Sequence, residues 1–414
     1  DSVAYGAYST IAGGLSNCAG DNVFIGGGYQ NTGTGCATIG GGFLNCATSK
    51  STIVGGYGNN SICCSTIGGG YLNYSFRCAS VAGGFCNSAY TNSGIVGGSE
   101  NCASDYSSII GGYLNLANQC STIGGGTRNT ANFGCHATIA GGLSSCAGQM
   151  ASVVGGAYNK SIGLYSSIIG GYLNKSCGIG SIVGGLSSQA IGRSSIVLGE
   201  NNISHGDNSV IIGTNNIQYG SCSFVGGCGN YEELGSFTNS IDGFCNIVGD
   251  GSILVTVNGD NNSVCNANAH TVHGSCNITC NATYGATYGG SNTSCNDTNA
   301  YIFGTGNNSS NTTDSYIIGV SNTSAGTDNV IIGLSNTICG SFNYLFGTTN
   351  TTANTECFQT IIGHSIDIAC CGYTVPAVHS NKLFLHNLCS TNPGVANQLY
   401  KCDIGGGICA IYIS

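Results

Sequence analysis

A nine-residue pattern recurs along this chain at intervals of fourteen residues. It is S-T-I-G-G-G-Y-L-N at residues 65–73, and close variants stand at 37–45, 51–59 and 79–87. A repeat of this length predicts a solenoid, because so short a unit cannot enclose a core of its own. The last residue of the pattern is an asparagine at equally spaced positions: Asn17, Asn31, Asn45, Asn59, Asn73, Asn87, Asn101, Asn115 and Asn129.

Within the repeat, apolar or small residues alternate with others at a period of two residues. That period is typical of strands, and nothing recurs at helical spacing. A unit of about fourteen residues supplies two short strands and two tight turns. The sequence therefore predicts an all-β, parallel β-solenoid of roughly 25 rungs, which at ~4.8 Å per rung would be a rod on the order of 120 Å long. The repeated isoleucines are expected inside it: Ile39, Ile53, Ile67, Ile109 and Ile123.

Glycine pairs and the asparagines mark the two predicted corners of each rung. Gly41, Gly55 and Gly69 each begin a Gly-Gly pair, which fits a corner that needs positive φ or a close approach of backbone. The asparagine suits the other corner, since it tolerates the left-handed region and hydrogen-bonds its own turn. Stacked rung upon rung, the asparagines are predicted to form a ladder.

The repeat changes character along the chain and divides it into three parts. Residues 1–238 keep regular fourteen-residue repeats, except that two extra residues precede Ser145. Residues 239–365 carry looser repeats that are rich in Asn and Thr. Residues 366–414 lack the repeat and are predicted to form a separate foot or cap. Because the chain opens on Asp1 inside a rung, we expect a processed, exported protein and end-to-end assembly through the open strand edge.

Composition limits the partners. The chain has 17 acidic and 8 basic residues and a formal charge of −9, so it has no basic cluster for nucleic acid or anionic membrane. No apolar run approaches the ~20 residues of a membrane span.

One buried isoleucine or valine per rung contributes only ~1.5–3 kcal/mol, against ~1–2 kcal/mol of backbone entropy for each ordered residue. Stacking and packing against further copies of the chain are therefore expected.

The chain has 26 cysteines, which indicates either disulfides formed outside the cell or thiols that pack as small apolar residues. Cys64 and Cys78 share one position in adjacent rungs, so their Cα atoms are expected ~4.8 Å apart, within reach of a disulfide. Free thiols and bridges between chains remain alternatives. In the cluster Cys265, His270, His273, Cys276 and Cys280, the two histidines point to opposite faces of a strand, so no metal and no cofactor are predicted.

The pattern S-x-I-x-G-G-x-x-N-x-[A/S] resembles the head repeats of trimeric autotransporter adhesins, and similar repeats in fibres of phages and large viruses. The resemblance covers about residues 9–365. It implies a left-handed parallel β-roll that assembles as a homotrimer and binds host or matrix surfaces. The lining departs from the Ala-rich lining of that group, because isoleucine and cysteine partly replace alanine here.

These observations predict a non-enzymatic, extracellular structural protein that assembles with itself, as a homotrimer or filament, into a fibre or sheath at a cell or virion surface. Adhesion to a host or matrix glycan or protein is a further expected role. The alternative is a viral or phage fibre that binds a host receptor. No catalytic residue is predicted.

Two less favoured functions have specific candidate residues. A carbohydrate-active β-helix would need a carboxylate pair, for which Glu232, Glu233 and Asp242 are the candidates. An ice-binding surface would use one outward threonine column, at Thr10, Thr38, Thr52, Thr66, Thr122 and Thr138. The aromatic column is expected to be structural rather than a ligand-binding stripe: Tyr29, Phe43, Tyr57, Tyr71, Phe85, Tyr113 and Tyr172.

Overall fold

Each turn of the chain contributes one strand to each of two parallel sheets. We call sheet A the sheet of strands that follow the repeated asparagine, and sheet B the sheet of strands that carry the repeated isoleucine or valine. The computed structural model describes residues 1–355, 359–365, 367–368, 399–403 and 409–413. The chain forms two compact units, residues 1–223 and 224–414. In the part described, both units are all-β without helices, with about 25 turns in total.

Unit 1 pairs equivalent residues of successive turns, as in Thr38 with Thr52 and Ile39 with Ile53. Its sheet A contains Val3–Ala4, Cys18–Ala19, Thr32–Thr34, Cys46–Thr48, Asn60–Ile62, Tyr74–Phe76, Ser88–Ala89, Cys102–Ala103, Leu116–Ala117, Thr130–Phe133, Cys146–Gly148, Lys160–Ser161, Lys175–Ser176, Gln189–Ala190, Ile203–Ser204 and Ile217–Gln218. Its sheet B contains Thr10–Ile11, Phe24–Ile25, Thr38–Ile39, Thr52–Ile53, Thr66–Ile67, Ser80–Val81, Gly94–Ile95, Ser108–Ile109, Thr122–Ile123, Thr138–Ile139, Ser152–Val153, Ser167–Tyr172, Ile182–Leu186, Ile196–Glu200 and Val210–Thr214.

Unit 2 repeats this arrangement, and its sheet B strands keep the length of five to six residues that unit 1 reaches from Ser167 onward. Sheet B contains Phe224–Cys228, Ser240–Phe244, Thr256–Asp260, Thr271–Ser275, Ala286–Gly290, Tyr301–Thr305, Tyr316–Val320, Val330–Leu334, Asn343–Thr348 and Gln359–His364. Sheet A contains Tyr231–Glu232, Ile247–Val248, Ser263–Cys265, Ile278–Cys280, Thr293–Cys295, Asn308–Thr313, Thr323–Thr327, Thr337–Gly340, Thr351–Thr355 and Asp367–Ile368. The predicted parallel β-solenoid with turns of ~14 residues is thus confirmed.

The predicted foot, residues 366–414, lies mostly outside the described residues. Of its described part, Asp367–Ile368 still pairs in parallel with Thr351 and Thr352. Leu399–Asp403 and Cys409–Ile413 pair with each other in antiparallel orientation, unlike the strands of the two sheets.

The interior of each turn is thin. In unit 1 a buried isoleucine or valine of sheet B, such as Ile39 or Ile53, lies inside together with a buried small residue of sheet A, such as Ala47 or Ser61. All five isoleucines predicted to be internal are at most 1% exposed. The apolar cluster of unit 2 contains inward residues of sheet B, Ile302, Ile317, Ile331, Leu345 and Ile361, together with Ile338 of sheet A.

A hydrogen-bonded ladder runs along the repeated asparagines, which are all buried. Asn45 Nδ2 donates to the Gly41 carbonyl in its own turn (3.0 Å) and to the Gly56 carbonyl in the next (2.9 Å). Its Oδ1 accepts a hydrogen bond from the backbone N–H of Asn59, 3.0 Å away. One side chain therefore satisfies three backbone groups at a buried corner.

The expectation that the asparagine itself takes the left-handed conformation is wrong. The residue before it does so, as at Leu44 (φ 57°) and Leu72 (φ 54°). This left-handed residue turns the chain, and the asparagine that follows directs its amide inward, where it makes the ladder.

The conformational requirement for glycine falls on the second residue of each pair. Gly56 has φ +96°, and a Cβ there would lie 2.2 Å from the Gly70 carbonyl oxygen of the next turn. At Gly55, the first glycine of the same pair, a Cβ would meet no atom within 4 Å. Gly41 and Gly69 are similarly open, with the nearest atom 3.9 Å away.

We expect Gly56→Ala to destabilise unit 1 by at least about 2 kcal/mol, because a left-handed non-glycine residue is strained and its Cβ overlaps backbone. Gly55→Ala is the matched control and should shift the midpoint of thermal unfolding, followed by circular dichroism, far less. Equal shifts for the two variants would contradict the conclusion that glycine is required at Gly56 and not at Gly55.

We expect Asn73→Ala to cost about 3 kcal/mol, since three hydrogen bonds of about 1 kcal/mol each are lost: to Gly69 O, to Gly84 O and from Asn87 N. Asn73→Ser should cost about half of that value, because Ser188 already replaces the asparagine in its own turn. Its Oγ donates to Gly199 O (3.0 Å) and accepts from Asn202 N (3.3 Å). Hydrogen exchange of residues 60–90, with thermal unfolding, measures both effects.

Candidate functional site

The outer face of sheet B in unit 1 carries the threonine column. Thr38, Thr52 and Thr66 stand in register on successive turns, while the isoleucine beside each of them points inward. The next outward column mixes glycine and valine, at Gly40, Val54 and Gly68. The surface therefore presents regularly spaced hydroxyls in one column only.

A shallow groove of 390 Å³ lies on the same face. It is lined by small residues, among them Gly68, Ala82 and Gly94, and by the aliphatic side chains of Val96 and Ile110. Its lining holds hydroxyl and aliphatic groups but no titratable side chain. The groove therefore offers apolar contact and no acid, base or nucleophile stronger than a hydroxyl.

A contiguous apolar surface lies on sheet B of unit 2. We define the apolar face as the outward side chains of Tyr301–Thr305, Tyr316–Val320, Val330–Leu334 and Asn343–Thr348, strands that contain no charged residue. Ile318 pairs in register with Ile332, and both are exposed. Beside them Tyr301 stacks on Tyr316, with ring centroids 5.1 Å apart.

The aromatic column of unit 1 forms a stack of rings on successive turns. Tyr29, Phe43, Tyr57, Tyr71 and Phe85 lie with neighbouring centroids 4.7–5.2 Å apart. Tyr113 stands between Ser99 and Thr127 in this column, and Tyr172 meets Tyr158 edge-on. Because stacked rings cover each other's faces, this geometry favours a structural role.

The three candidate carboxylates do not face a common cleft. Glu232 is buried on the inner face of sheet A, where Asn239 Nδ2 donates to its Oε1 (2.9 Å). Glu233 Oε2 accepts a hydrogen bond from the backbone N–H of Asp250 (2.9 Å). Asp242 is exposed on sheet B. A glycosidase needs two carboxylates on either side of one bond, which this placement does not provide.

His270 lies inside unit 2, in the column that holds Val255 one turn earlier. Its Nε2 is 3.1 Å from Thr287 Oγ1. Gly285 leaves room for the imidazole ring, since a Cβ at residue 285 would lie 2.7 Å from Cε1 of His270. Burial lowers the pKa of His270 to about 4. His270 is therefore a neutral, structural histidine at physiological pH.

The other residues of the metal-like cluster lie apart from His270. His273 faces outward and stacks on Tyr288 (5.0 Å), Cys276 is exposed at a turn, and Cys265 and Cys280 lie on sheet A. Within the described residues, no three groups of His, Cys, Asp or Glu gather as a metal site would require.

Sequence reasoning missed the buried polar residues of unit 2. Asp297 is buried and its carboxylate accepts three hydrogen bonds, from Ser294 Oγ (2.7 Å), Thr312 N (2.9 Å) and Thr312 Oγ1 (3.0 Å). The available signal in the sequence was that polar residues replace alanine and isoleucine at inward positions. A buried charge requires hydrogen-bond partners, and these polar residues supply them.

Cys64 and Cys78 are exposed free thiols at equivalent positions in adjacent turns, and the bridge between them stays a prediction. Asn-x-Ser/Thr triplets, the acceptor sequence for N-linked glycans, occupy two kinds of position in the structure. Asn73 and Asn350 belong to the buried ladder, where a glycan on Nδ2 would displace its hydrogen bonds. Asn281 and Asn311 are exposed.

In comparisons with known proteins, no family model matches this chain and no curated protein is significantly similar to it. Among the residues that the structure describes, none form a helix long and apolar enough to cross a membrane.

We expect the stability of unit 2 to fall between about pH 6.5 and pH 4 through His270. Its folded-state pKa lies below the unfolded value, so this stability is complete above pH 6.5 and is lost as pH falls toward 4. The difference between the unfolded-state pKa of 6.5 and the folded-state pKa of about 4 corresponds to roughly 3 kcal/mol in the free energy of unfolding. The measurement is the denaturant midpoint as a function of pH.

His270→Val places in this column the residue already found at Val255, and it should flatten the pH dependence. His273→Asn, which restores the residue aligned with it at Asn258, is the control and should leave the dependence unchanged. An unaltered pH profile in His270→Val would refute the role of His270.

Proposed function

We propose that this protein is a non-enzymatic, extracellular structural protein that associates with copies of itself to form a surface fibre, filament or sheath. The apolar face of unit 2 is the single observation that carries the proposal. Tyr316, Ile318 and Leu334 each leave 44–47% of their surface exposed. Contiguous exposed apolar side chains are costly in water unless they are covered.

A second copy of the chain is the occupant that this surface favours. The four strands of the apolar face carry no charge, so two such faces can pack without burying an unpaired ion. The outward side chains form flat columns at a constant spacing, so that residues of one copy can pack between those of another.

The size of the face suits repeated rather than solitary contacts. Three outward columns over four turns cover on the order of 400 Å². This is about half of the ~800 Å² that each partner buries in a typical stable interface. Exposed aliphatic residues on sheet B of unit 1 supply further area for association, at Val54, Val96, Ile110, Val154 and Ile169.

The resemblance to adhesin head repeats supports the same proposal, since those repeats occur in self-associating surface proteins. The buried interior of a turn is too thin to provide much stability. Lateral packing of copies would add apolar burial that a single chain lacks.

We expect the purified full chain to form oligomers or filaments in sedimentation velocity and negative-stain electron microscopy. The double variant Ile318→Lys with Ile332→Lys should shift the population to monomers, because two lysines would be desolvated at each contact. The matched control is Thr323→Lys with Thr337→Lys, which places the same charges on the opposite sheet of the same turns.

Self-association should survive in this control. The proposal fails if the wild-type chain stays monomeric at all concentrations, or if the lysines in the apolar face leave its assembly unchanged. Circular dichroism of each variant establishes that the sheets remain folded.

A further inference from the structure

Three cysteines form a column on the outer face of sheet A in unit 2. Cys265 pairs in register with Cys280, and Cys280 with Cys295, on three successive turns. The residue before each cysteine, Val264, Thr279 or Ser294, is buried inside the turn. Because side chains alternate along a strand, the three thiols share the outer face, where all are partly exposed.

The column brings sulfur atoms into contact. Sγ of Cys265 and Sγ of Cys280 lie 3.1 Å apart. In-register residues of neighbouring parallel strands have Cα atoms ~4.8 Å apart, within the 4.4–6.8 Å range of disulfides. Cys265 and Cys295 are two turns apart, at ~9.6 Å, beyond that range. Only the central thiol can therefore bond to either neighbour.

We propose that Cys265, Cys280 and Cys295 form a redox site in which Cys280 makes a disulfide with Cys265 or with Cys295 and the third thiol stays free. The oxidant is a small-molecule disulfide. A thiolate of the column attacks one sulfur of it, forms a mixed disulfide and releases one small thiol. The neighbouring thiolate then attacks the protein sulfur of the mixed disulfide and releases the second. Two column thiols are oxidised, one disulfide is reduced to two thiols, and the two protons pass to those products.

The free third thiol allows the bond to move along the column. When Cys265 and Cys280 are bonded, the Cys295 thiolate attacks the sulfur of Cys280. The Cys280–Cys295 bond forms, the Cys265–Cys280 bond breaks, and Cys265 leaves as a thiolate that takes up the proton lost by Cys295. The exchange consumes no oxidant.

The surroundings of the column slow both reactions at neutral pH. Burial raises the pKa of Cys280 to about 12, and a hydrogen bond with Cys265 and the charge of Cys265 act in the same direction. Burial also raises the pKa of Cys295. Since the thiolate is the nucleophile, oxidation should accelerate as pH rises. The inference does not rest on self-association, because all three sulfurs belong to one chain.

The test uses the reduced full chain, equilibrated with oxidised and reduced glutathione at several ratios and quenched with an alkylating agent. Digestion without reductant, followed by mass spectrometry, identifies the bonded peptides. We expect Cys265–Cys280 and Cys280–Cys295 bridges in the same sample, with at least a tenfold deficit of Cys265–Cys295. Mixing isotope-labelled and unlabelled chains distinguishes bonds within a chain from bonds between chains.

Three serine variants separate the roles of the thiols, and serine is the residue that this column carries next, at Ser310. Cys280→Ser should abolish both bridges and leave Cys265 and Cys295 open to alkylation. Cys265→Ser should move the whole disulfide population to Cys280–Cys295. Cys276→Ser removes an exposed thiol outside the column and should leave the bridges unchanged.

The proposal is overturned if all three thiols of the folded wild-type chain remain alkylatable at every glutathione ratio. Bridges formed only between labelled and unlabelled chains would overturn it as well, as would a Cys265–Cys295 bond as abundant as the other two. Circular dichroism of the oxidised and reduced samples shows that the chain is folded in each case.

Discussion

The buried asparagine at one corner of each turn constrains how the turns can vary. Its amide bonds to carbonyls of its own turn and the next, and its Oδ1 accepts the backbone N–H of the following asparagine. In the turns that the structure describes, this corner has two lengths: the buried residue precedes the ladder residue by six positions, as at Ile39, or by five, as from Val183 onward. The other corner, where equivalent asparagine contacts occur locally, as at Asn329 and Asn343, varies more in length, as between Ala131 and Ile139 and between Glu232 and Ile241. Insertions are therefore tolerated where no side chain must reach a fixed set of backbone groups.

Because each turn buries so little apolar surface, backbone hydrogen bonding contributes much of the order in the structure. This explains why unit 2 can exchange interior aliphatic residues for Thr287, Asp297 and His270 and keep the same pairing register. A polar side chain is accepted inside where a neighbouring turn offers it a partner, as Thr287 does for the ring of His270. In a globular core of ordinary thickness, such replacements would sacrifice far more apolar burial.

The repeat alone was sufficient to predict the parallel solenoid, the internal isoleucines and a ladder of asparagines, because each of these depends only on which residue types recur in phase. Periodicity did not reveal which residue adopts the left-handed conformation at the corner before the asparagine. The left-handed residue is often a leucine, such as Leu72, and nothing in leucine's own preferences marks that conformation. The cysteine column was missed for another reason. Cys265, Cys280 and Cys295 are fifteen residues apart, so a search in steps of fourteen finds Cys64 and Cys78 but passes over them.

Repetition also determines how this protein can acquire chemistry on its surface. An outward residue that recurs in phase becomes a column, so one apolar side chain per turn, at Phe303, Ile318, Ile332 and Phe346, becomes part of the apolar face, and one cysteine per turn becomes a row of thiols. In unit 2 these two columns lie on opposite sheets, Ile318 and Ile332 on sheet B and the cysteines on sheet A. A surface on sheet B can therefore be covered by another copy while the thiols on sheet A stay in contact with solvent. Because each turn contributes only a small contact, the strength of either property depends on how many consecutive turns keep the residue. A single interruption divides a column in two, whereas a single substitution in an ordinary binding pocket alters only one contact.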